Sequence, residues 1–337
     1  MEHFGFPAET ILIFLGVIAV SVYLDLFAHK HSTEITLGDA AKWSIFWITL
    51  AIAFYGYLWW RFDKKWADLY LTGYALEKAL SVDNLIVFMA IFSSFSIKGI
   101  LQHRILYYGI IGALVFRAIF VLIGSALFQA SPFVGFIFAA FIFWSAVKML
   151  QQSDEEEDIE DYSNHWSVKL TGKLMPIYTK LHLERFFVRD SQLFANGQTD
   201  LASVTRKGVL YATPAFLCLM AIETSDIAFA FDSVPAVISI TQEPLLVYAA
   251  MIFAILGLRS LYFVLAALTR YLVHLEKAVI ILLFFIGAKM AGQSLEHVTN
   301  GQFGFHIPHN WSLAIVLGML AAGVIASFLF PKKENEK

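Results

Sequence analysis

Six carboxylates interrupt stretches of this chain that are otherwise apolar. They are Asp25, Glu77, Asp83, Glu223, Asp226 and Asp232. An aspartate at the centre of a membrane helix costs about 2.5 to 3.5 kcal/mol on insertion scales, so such residues need partners or water. Ion pairs between helices are one explanation, but buried ion pairs are a poor way to gain stability. We therefore favour an ion pathway.

Basic residues lie in the same apolar stretches as these acids. They are Lys78, Arg117, Lys148, Arg259 and Lys289. We expect them to neutralise the carboxylates when the site is empty. They also leave open a second interpretation, in which the bases form a pathway for an oxyanion.

The side chains around the acids indicate the kind of ion. Asn84 follows Asp83 directly, no histidine lies near the middle of an apolar stretch, and Cys218 is the single cysteine. Sites built only from oxygen suit Mn²⁺, Mg²⁺ or Ca²⁺ better than zinc or copper. The predicted metal ligands are Glu77, Asp83, Asn84, Glu223, Asp226 and Asp232.

The spacing of the acids predicts how their helices run. Glu223 and Asp226 are three residues apart and share one helix face. Glu77 and Asp83 are six apart, which places them about 120° from each other on an ideal helix. Both can face one ion only if the helix unwinds near Ser81. We predict a second break at Pro235, which lacks a backbone donor.

Composition assigns these acids to membrane helices. Of the 337 residues 58% are hydrophobic and 15% charged, whereas roughly a quarter of a soluble domain is charged. Apolar segments of about 20 residues cross a bilayer as helices. We predict an all-α polytopic membrane protein with nine spans, at 9–28, 41–60, 69–92, 104–128, 132–150, 210–240, 245–270, 275–292 and 311–330.

The distribution of Lys and Arg predicts the orientation of the spans. With the N-terminus outside, the outside connections hold only Arg61, Lys64 and Lys65 as basic residues. The inside connections hold 16 basic residues, as the positive-inside rule requires, and the remaining five lie within the predicted spans. We therefore predict that the C-terminus is cytoplasmic. No Lys or Arg precedes the first apolar run, so we expect the first helix to be retained rather than cleaved.

Two parts of the chain resemble each other. "FRAIFVLIGSALF" from Phe116 matches "LRSLYFVLAALTR" from Leu258, and "SAVKMLQQS" from Ser145 matches "IGAKMAGQS" from Ile286. Each copy holds three helices, so the second copy is expected to be inverted in the membrane. Inverted repeats are the usual build of secondary transporters, with the substrate site at the repeat interface.

This pattern divides the chain into five segments. They are two helices in 1–62, the first repeat in 63–150, a cytoplasmic loop in 151–208, the inverted repeat in 209–292, and a last helix with a cytoplasmic tail in 293–337. The loop opens with the acidic run "DEEEDIED", Asp154 to Asp161. Such runs are usually solvated and disordered. The alternatives are that the run weakly attracts cations or that it is a docking site for a cytoplasmic partner.

The motifs around the acids are similar to those of a known family. "GYALEKALSVDNLIVFMAIF", "YATPAFLCLMAIETSDIAFAFDSVPAVISIT" and "FAILGLRSLYFVLAAL" resemble the TerC family of bacterial integral membrane proteins. The resemblance implies a nine-helix protein of the bacterial inner membrane, related to the LysE exporter group. It also implies manganese export, as in the Alx-type members, or tellurium resistance. The acids that the family needs for export fall on Glu77, Asp83, Glu223, Asp226 and Asp232.

Three functions follow as expectations. The first is secondary export of a divalent cation, Mn²⁺ before Ca²⁺ or Mg²⁺, across the lipid bilayer. The second is a membrane scaffold that recruits cytoplasmic tellurium-resistance proteins through the loop 151–208, and the third is oxyanion export. We expect neither an enzyme, nor a resident cofactor, nor a nucleic-acid partner, because the sequence shows no catalytic triad and no nucleotide-binding motif.

Overall fold

The described part of the chain folds almost entirely into helices. The computed structural model describes residues 2–3, 6–27, 37–131, 133–154, 165–178, 185–189, 210–268, 274–305 and 307–330. Within these ranges the helices are α1 (Ala8–Phe27), α2 (Leu37–Arg61), α3 (Lys64–Ser94), α4 (Ile100–Ala130), α5 (Phe133–Asp154), α6 (Trp166–Leu174), α7 (Pro214–Ile240), α8 (Pro244–Ile255), α9 (Leu258–Leu268), α10 (Leu275–Val298) and α11 (His309–Leu329).

Four short strands accompany the helices within the described residues. β1 (Glu2–His3) pairs antiparallel with β2 (Phe6–Pro7) directly before α1. β3 (Phe187–Arg189) pairs antiparallel with β4 (Leu210–Ala212), with Val188 opposite Tyr211. These two small sheets leave the prediction of an all-α polytopic membrane protein intact.

A helix lies at each of the nine predicted spans, but fewer than nine qualify as spans by length and apolarity. Among the described residues six do so, namely α2, α4, α5, α7, α10 and α11, and a seventh results if α8 and α9 count as one bent span. α3 is long enough but carries Glu77, Lys78 and Asp83 in its middle. The apolar part of α1, Glu9–Ser21, is shorter. The count of nine is therefore not confirmed.

The helix breaks lie elsewhere than predicted. α3 runs without interruption through Ser81, and α7 continues through Pro235, so both predicted breaks are wrong. A proline removes one backbone donor, and neighbouring helices can compensate for this in a membrane bundle. The break occurs instead between α8 and α9, whose axes differ by 46°. Gly257 has φ +79 there, and a Cβ at this position would overlap the Trp47 ring.

The chain divides into two compact units. Unit 1 comprises Met1–Leu85, Leu114–Glu156 and Phe229–Lys337, and unit 2 comprises Ile86–Ala113 and Glu157–Ala228. The division passes through α3, α4 and α7. Each of these helices therefore contributes residues to both units.

Unit 1 holds the large apolar core. Phe54 is part of this core, with its ring centroid 4.9 Å from that of Phe253 and 5.1 Å from that of Tyr70. Close backbone approach joins α5 to α10, because a Cβ at Gly135 would overlap Ser294. Gly287 of α10 lies against Phe143 of α5. Since early residues of α5 meet late residues of α10, the two helices run antiparallel.

Unit 2 holds a smaller core beside the β3–β4 sheet. Tyr178, Val188 and Tyr211 are buried together there. α6 and β3 lie within the segment predicted as one cytoplasmic loop, so the described part of that segment has regular structure. Residues 155–161 of the acidic run lie outside the described residues.

Candidate functional site

Glu77 forms a buried ion pair with Arg117. Glu77 lies in the middle of α3 with 0% exposure, and Arg117 lies on α4 with 2% exposure. The Arg117 guanidinium donates a hydrogen bond from Nη1 to Oε1 of Glu77. Arg117 is one of the basic residues that we expect to neutralise the acids when the site is empty. Oε2 of Glu77 has no hydrogen-bond partner among the described residues.

Lys78 follows Glu77 in sequence but contacts a different helix. Its Nζ donates a hydrogen bond of 3.0 Å to the carbonyl oxygen of Ala254, in the last turn of α8. Asn84 is also buried in unit 1. The side chains of Asp83 and Asp25 lie outside the described residues, so their predicted roles stay predictions.

Asp232 lies near a hydroxyl and an amine of α5. Ser145 hydrogen-bonds to the Asp232 carboxylate, and Lys148 is close enough to interact with it electrostatically. Lys148 also lies over the Trp144 ring, with its Nζ 5.7 Å from the ring centroid. The Asp232 carboxylate is thus partly compensated by a hydrogen bond and a nearby cation.

Glu223 and Asp226 form the acidic pair of unit 2. They lie on one face of α7 and are close enough to repel each other. The Glu223 carboxylate packs directly on Gly112 of α4, where a Cβ would overlap it. Oε2 of Glu223 is buried without a hydrogen-bond partner among the described residues. This carboxylate has an unsatisfied oxygen, and the absence of a side chain at Gly112 provides room for it.

Two further bases are buried in unit 1. Arg259 lies in the first turn of α9 with 4% exposure, and Lys289 lies on α10 with 1% exposure. Nζ of Lys289 has no hydrogen-bond partner within the described part of the chain. A charged amine buried in this way is costly unless a negative charge pairs with it.

The predicted ligands are distributed over several local arrangements. No group of three or more His, Cys, Asp or Glu residues that could hold a metal ion occurs among the side chains that the structure describes. The acidic pair of Glu223 and Asp226 can offer two carboxylates to a hard cation, which prefers oxygen ligands. Glu77 can bind a cation with both of its carboxylate oxygens only if the ion displaces Arg117.

Sequence reasoning missed several residues that shape these arrangements. Gly112 permits the close approach of Glu223, and Ser145 is the hydroxyl partner of Asp232. The only sequence signal for Ser145 was its place at the start of the repeated segment "SAVKMLQQS", which also contains Lys148. Nothing in the local sequence distinguishes Gly112 from other helical glycines, because its role depends on a contact between distant parts of the chain.

Comparisons with known proteins agree with the sequence motifs. The profile of the "Integral membrane protein TerC family" matches residues 62–335. The chain is 48% identical to "Tellurium resistance protein TerC" of Serratia marcescens, over 99% of this chain and 98% of that protein. It is 36% identical to "Putative membrane-bound redox modulator Alx" of Escherichia coli (strain K12), over 91% of this chain and 90% of that protein. No solved structure matches the chain.

Proposed function

Because the chain belongs to the TerC family of integral membrane proteins, we propose that it is a secondary transporter that exports a divalent cation. Mn²⁺ is the ion we favour, and Ca²⁺ and Mg²⁺ share the same oxygen chemistry. Exchange against protons or the membrane potential would drive export. The intramembrane carboxylates would bind the ion from the cytoplasm and protonate when they release it.

The acidic pair of unit 2 is the observation that carries this proposal. Glu223 has an unsatisfied buried oxygen and lies beside Asp226 on one helix face. Two adjacent carboxylates repel each other, and a divalent cation between them relieves the repulsion. An arrangement that only stabilised the fold would place a base or a hydrogen-bond donor beside the Glu223 carboxylate instead of a second acid.

The transport topology belongs to the same proposal. It has nine spans in the bacterial inner membrane, with the N-terminus outside, the C-terminus cytoplasmic and an inverted repeat of three helices. Two observations support the repeat. The matching segments that contain Lys148 and Lys289 lie on α5 and α10, and these two helices pack antiparallel, as inversion requires.

Uptake into inverted vesicles tests the transported ion. Vesicles that contain the protein should accumulate labelled Mn²⁺, and vesicles with Asp83→Asn or Asp232→Asn should not, although both variants insert normally. Asp39→Asn is the matched control, because Asp39 is an exposed acid on α2 that pairs only loosely with Lys42, at 3.7 Å. Equal Mn²⁺ uptake by all these variants would end the proposal.

Similar relatives are named tellurium resistance proteins, so a role in tellurium resistance is the alternative to compare with Mn²⁺ export. A scaffold that recruits resistance proteins predicts that deletion of Asp154 to Asp161 abolishes resistance while the intramembrane aspartates are dispensable. An oxyanion exporter predicts tellurite uptake in the same vesicles, with dependence on Arg117 and Arg259, which are both buried. Measuring Mn²⁺ and tellurite side by side therefore separates the three functions.

A further inference from the structure

Lys78 and Glu77 are consecutive residues that connect α3 to two different helices. Glu77 is paired with Arg117 of α4, and Lys78 donates to Ala254 of α8. Consecutive helical residues point about 100° apart. The middle of α3 is thus tied to α4 on one side and to the end of α8 on another, and all four residues belong to unit 1.

The contact of Lys78 lies directly before the bend between α8 and α9. α8 ends at Ile255 and α9 begins at Leu258, with axes 46° apart. A helix end leaves the carbonyl oxygens of its last turn without intrahelical donors. These carbonyls also give the end of a helix a partial negative charge, which attracts cations. The Lys78 ammonium satisfies both requirements at Ala254.

The bend is built by residues that do not fit a straight helix. Gly257 adopts φ +79, a conformation that side chains rarely tolerate. The Trp47 ring of α2 occupies the space beside it, where a Cβ would overlap. These contacts determine where the chain bends, whereas Lys78 is the charged group that ties the bend to α3.

We propose that Lys78 is a positioning residue that holds the bend between α8 and α9 and couples it to the charged centre of α3. The inference rests on the proposed function in one respect. A cation that draws Glu77 away from Arg117 would shift α3, and Lys78 would pass this shift to the bend. Holding the bend is a property of the protein without any transported ion.

The bend can be measured directly with two spin labels. Gln242→Cys and Ala266→Cys place labels on exposed positions on either side of it, in a Cys218→Ala background. A straight helix would separate the two backbones by about 36 Å, and a 46° bend shortens this to about 33 Å. Double electron-electron resonance should give a narrow distribution for the native Lys78, and a broader one shifted to longer distances for Lys78→Met.

Matched variants separate positioning from general destabilisation. Lys78→Arg keeps a cation within reach of Ala254 and should retain the narrow distribution, and so should Lys65→Met, which changes an exposed lysine on the same helix. If Lys78→Met cannot be purified, Lys78→Gln carries the same expectation, because it removes the charge. A distribution for Lys78→Met or Lys78→Gln that is identical to that of the native protein overturns the inference.

A transport measurement links the bend to the proposed function. Lys78→Met should lower the rate of Mn²⁺ uptake into vesicles by about tenfold, since small misplacements in a binding region have effects of at least this size. Full uptake together with a broadened distribution would overturn the coupling. If the native protein takes up no Mn²⁺, the proposed function fails, and the resonance measurement still decides whether Lys78 holds the bend.

Discussion

Glu77, which is buried, and Glu223, which is partly buried, lie in long helices and have different charged neighbours. Glu77, in unit 1, is paired with the guanidinium of Arg117. Glu223, in unit 2, packs on the bare backbone of Gly112, and its Oε2 has no hydrogen-bond partner among the described residues. The first arrangement compensates a charge with another charge. Each glutamate has one oxygen without a described hydrogen-bond partner, but Glu223 lies beside a second acid instead of a base, and this is the arrangement that a cation-binding group requires.

The surroundings of each glutamate predict what it contributes to the protein when no ion is bound. A paired carboxylate is costly to disrupt, because removing one partner leaves the other charge buried alone. An unsatisfied carboxylate can be replaced by a neutral group with little loss of stability. Stability measurements should therefore be sensitive to the Glu77 pair, and transport measurements to the Glu223 pair.

The largest expected effect on stability comes from Arg117→Leu. This change leaves Glu77 buried without its partner, so we expect a loss of about 3 to 5 kcal/mol in unfolding free energy. Thermal unfolding of the purified protein in detergent measures it. The double variant Glu77→Gln with Arg117→Leu should recover most of the loss. If the single variant were as stable as the native protein, the ion pair would not have the role described here.

Gly112→Ala tests the other side of the comparison. The added methyl group overlaps the Glu223 carboxylate, so we expect overpacking to cost about 1 to 3 kcal/mol and to displace the carboxylate. Gly109→Ala is the matched control, because a Cβ there meets only Ile222 Cγ2, at 3.3 Å. Thermal unfolding and Mn²⁺ uptake together measure the result, and equal behaviour of the two variants would contradict the assigned contact.

The surroundings of Asp232 are intermediate between those of Glu77 and Glu223, since Asp232 has a hydroxyl partner and a nearby amine. Ser145→Ala removes the hydroxyl, so we expect a loss of about 1 kcal/mol. A double-mutant cycle with Asp232→Asn should show that most of this effect depends on the carboxylate. Strictly additive effects of the two changes would mean that Ser145 acts independently of Asp232.

The smallest expected effect belongs to an exposed ion pair. Lys42 and Asp39 are 3.7 Å apart, and their side chains are 81% and 57% exposed. Solvent screens such pairs, so Lys42→Ala should change the unfolding free energy by less than about 0.5 kcal/mol. Chemical denaturation that showed a change as large as that of Arg117→Leu would mean that burial does not distinguish these pairs.

Much of the fold could be predicted from apolar segments, because a helix lies at each predicted span. The position of the break could not. Pro235 has a clear local signal, yet α7 continues through it. Gly257 has almost no local signal, because its bend depends on Trp47, which is distant in sequence. Breaks in a packed helical bundle are determined by long-range contacts as much as by local residue types.

The candidate site was predicted at the level of residue types rather than partners. The intramembrane acids and bases follow from their cost in an apolar environment. That Arg117 pairs with Glu77, and that Lys78 contacts a carbonyl oxygen instead of an acid, depends on helix rotation and packing. The spacing of residues in the sequence does not determine these contacts when the neighbouring helices are unknown.

Uptake of Mn²⁺ by purified protein in liposomes tests the central claim most directly. The comparison is between the native protein, Glu223→Gln and the exposed control Asp39→Asn. We expect Glu223→Gln to reduce uptake by at least about tenfold with unchanged thermal stability, because a removed charge weakens a divalent site more than it weakens the fold. Native uptake by Glu223→Gln would contradict the assignment of this carboxylate to the transported ion.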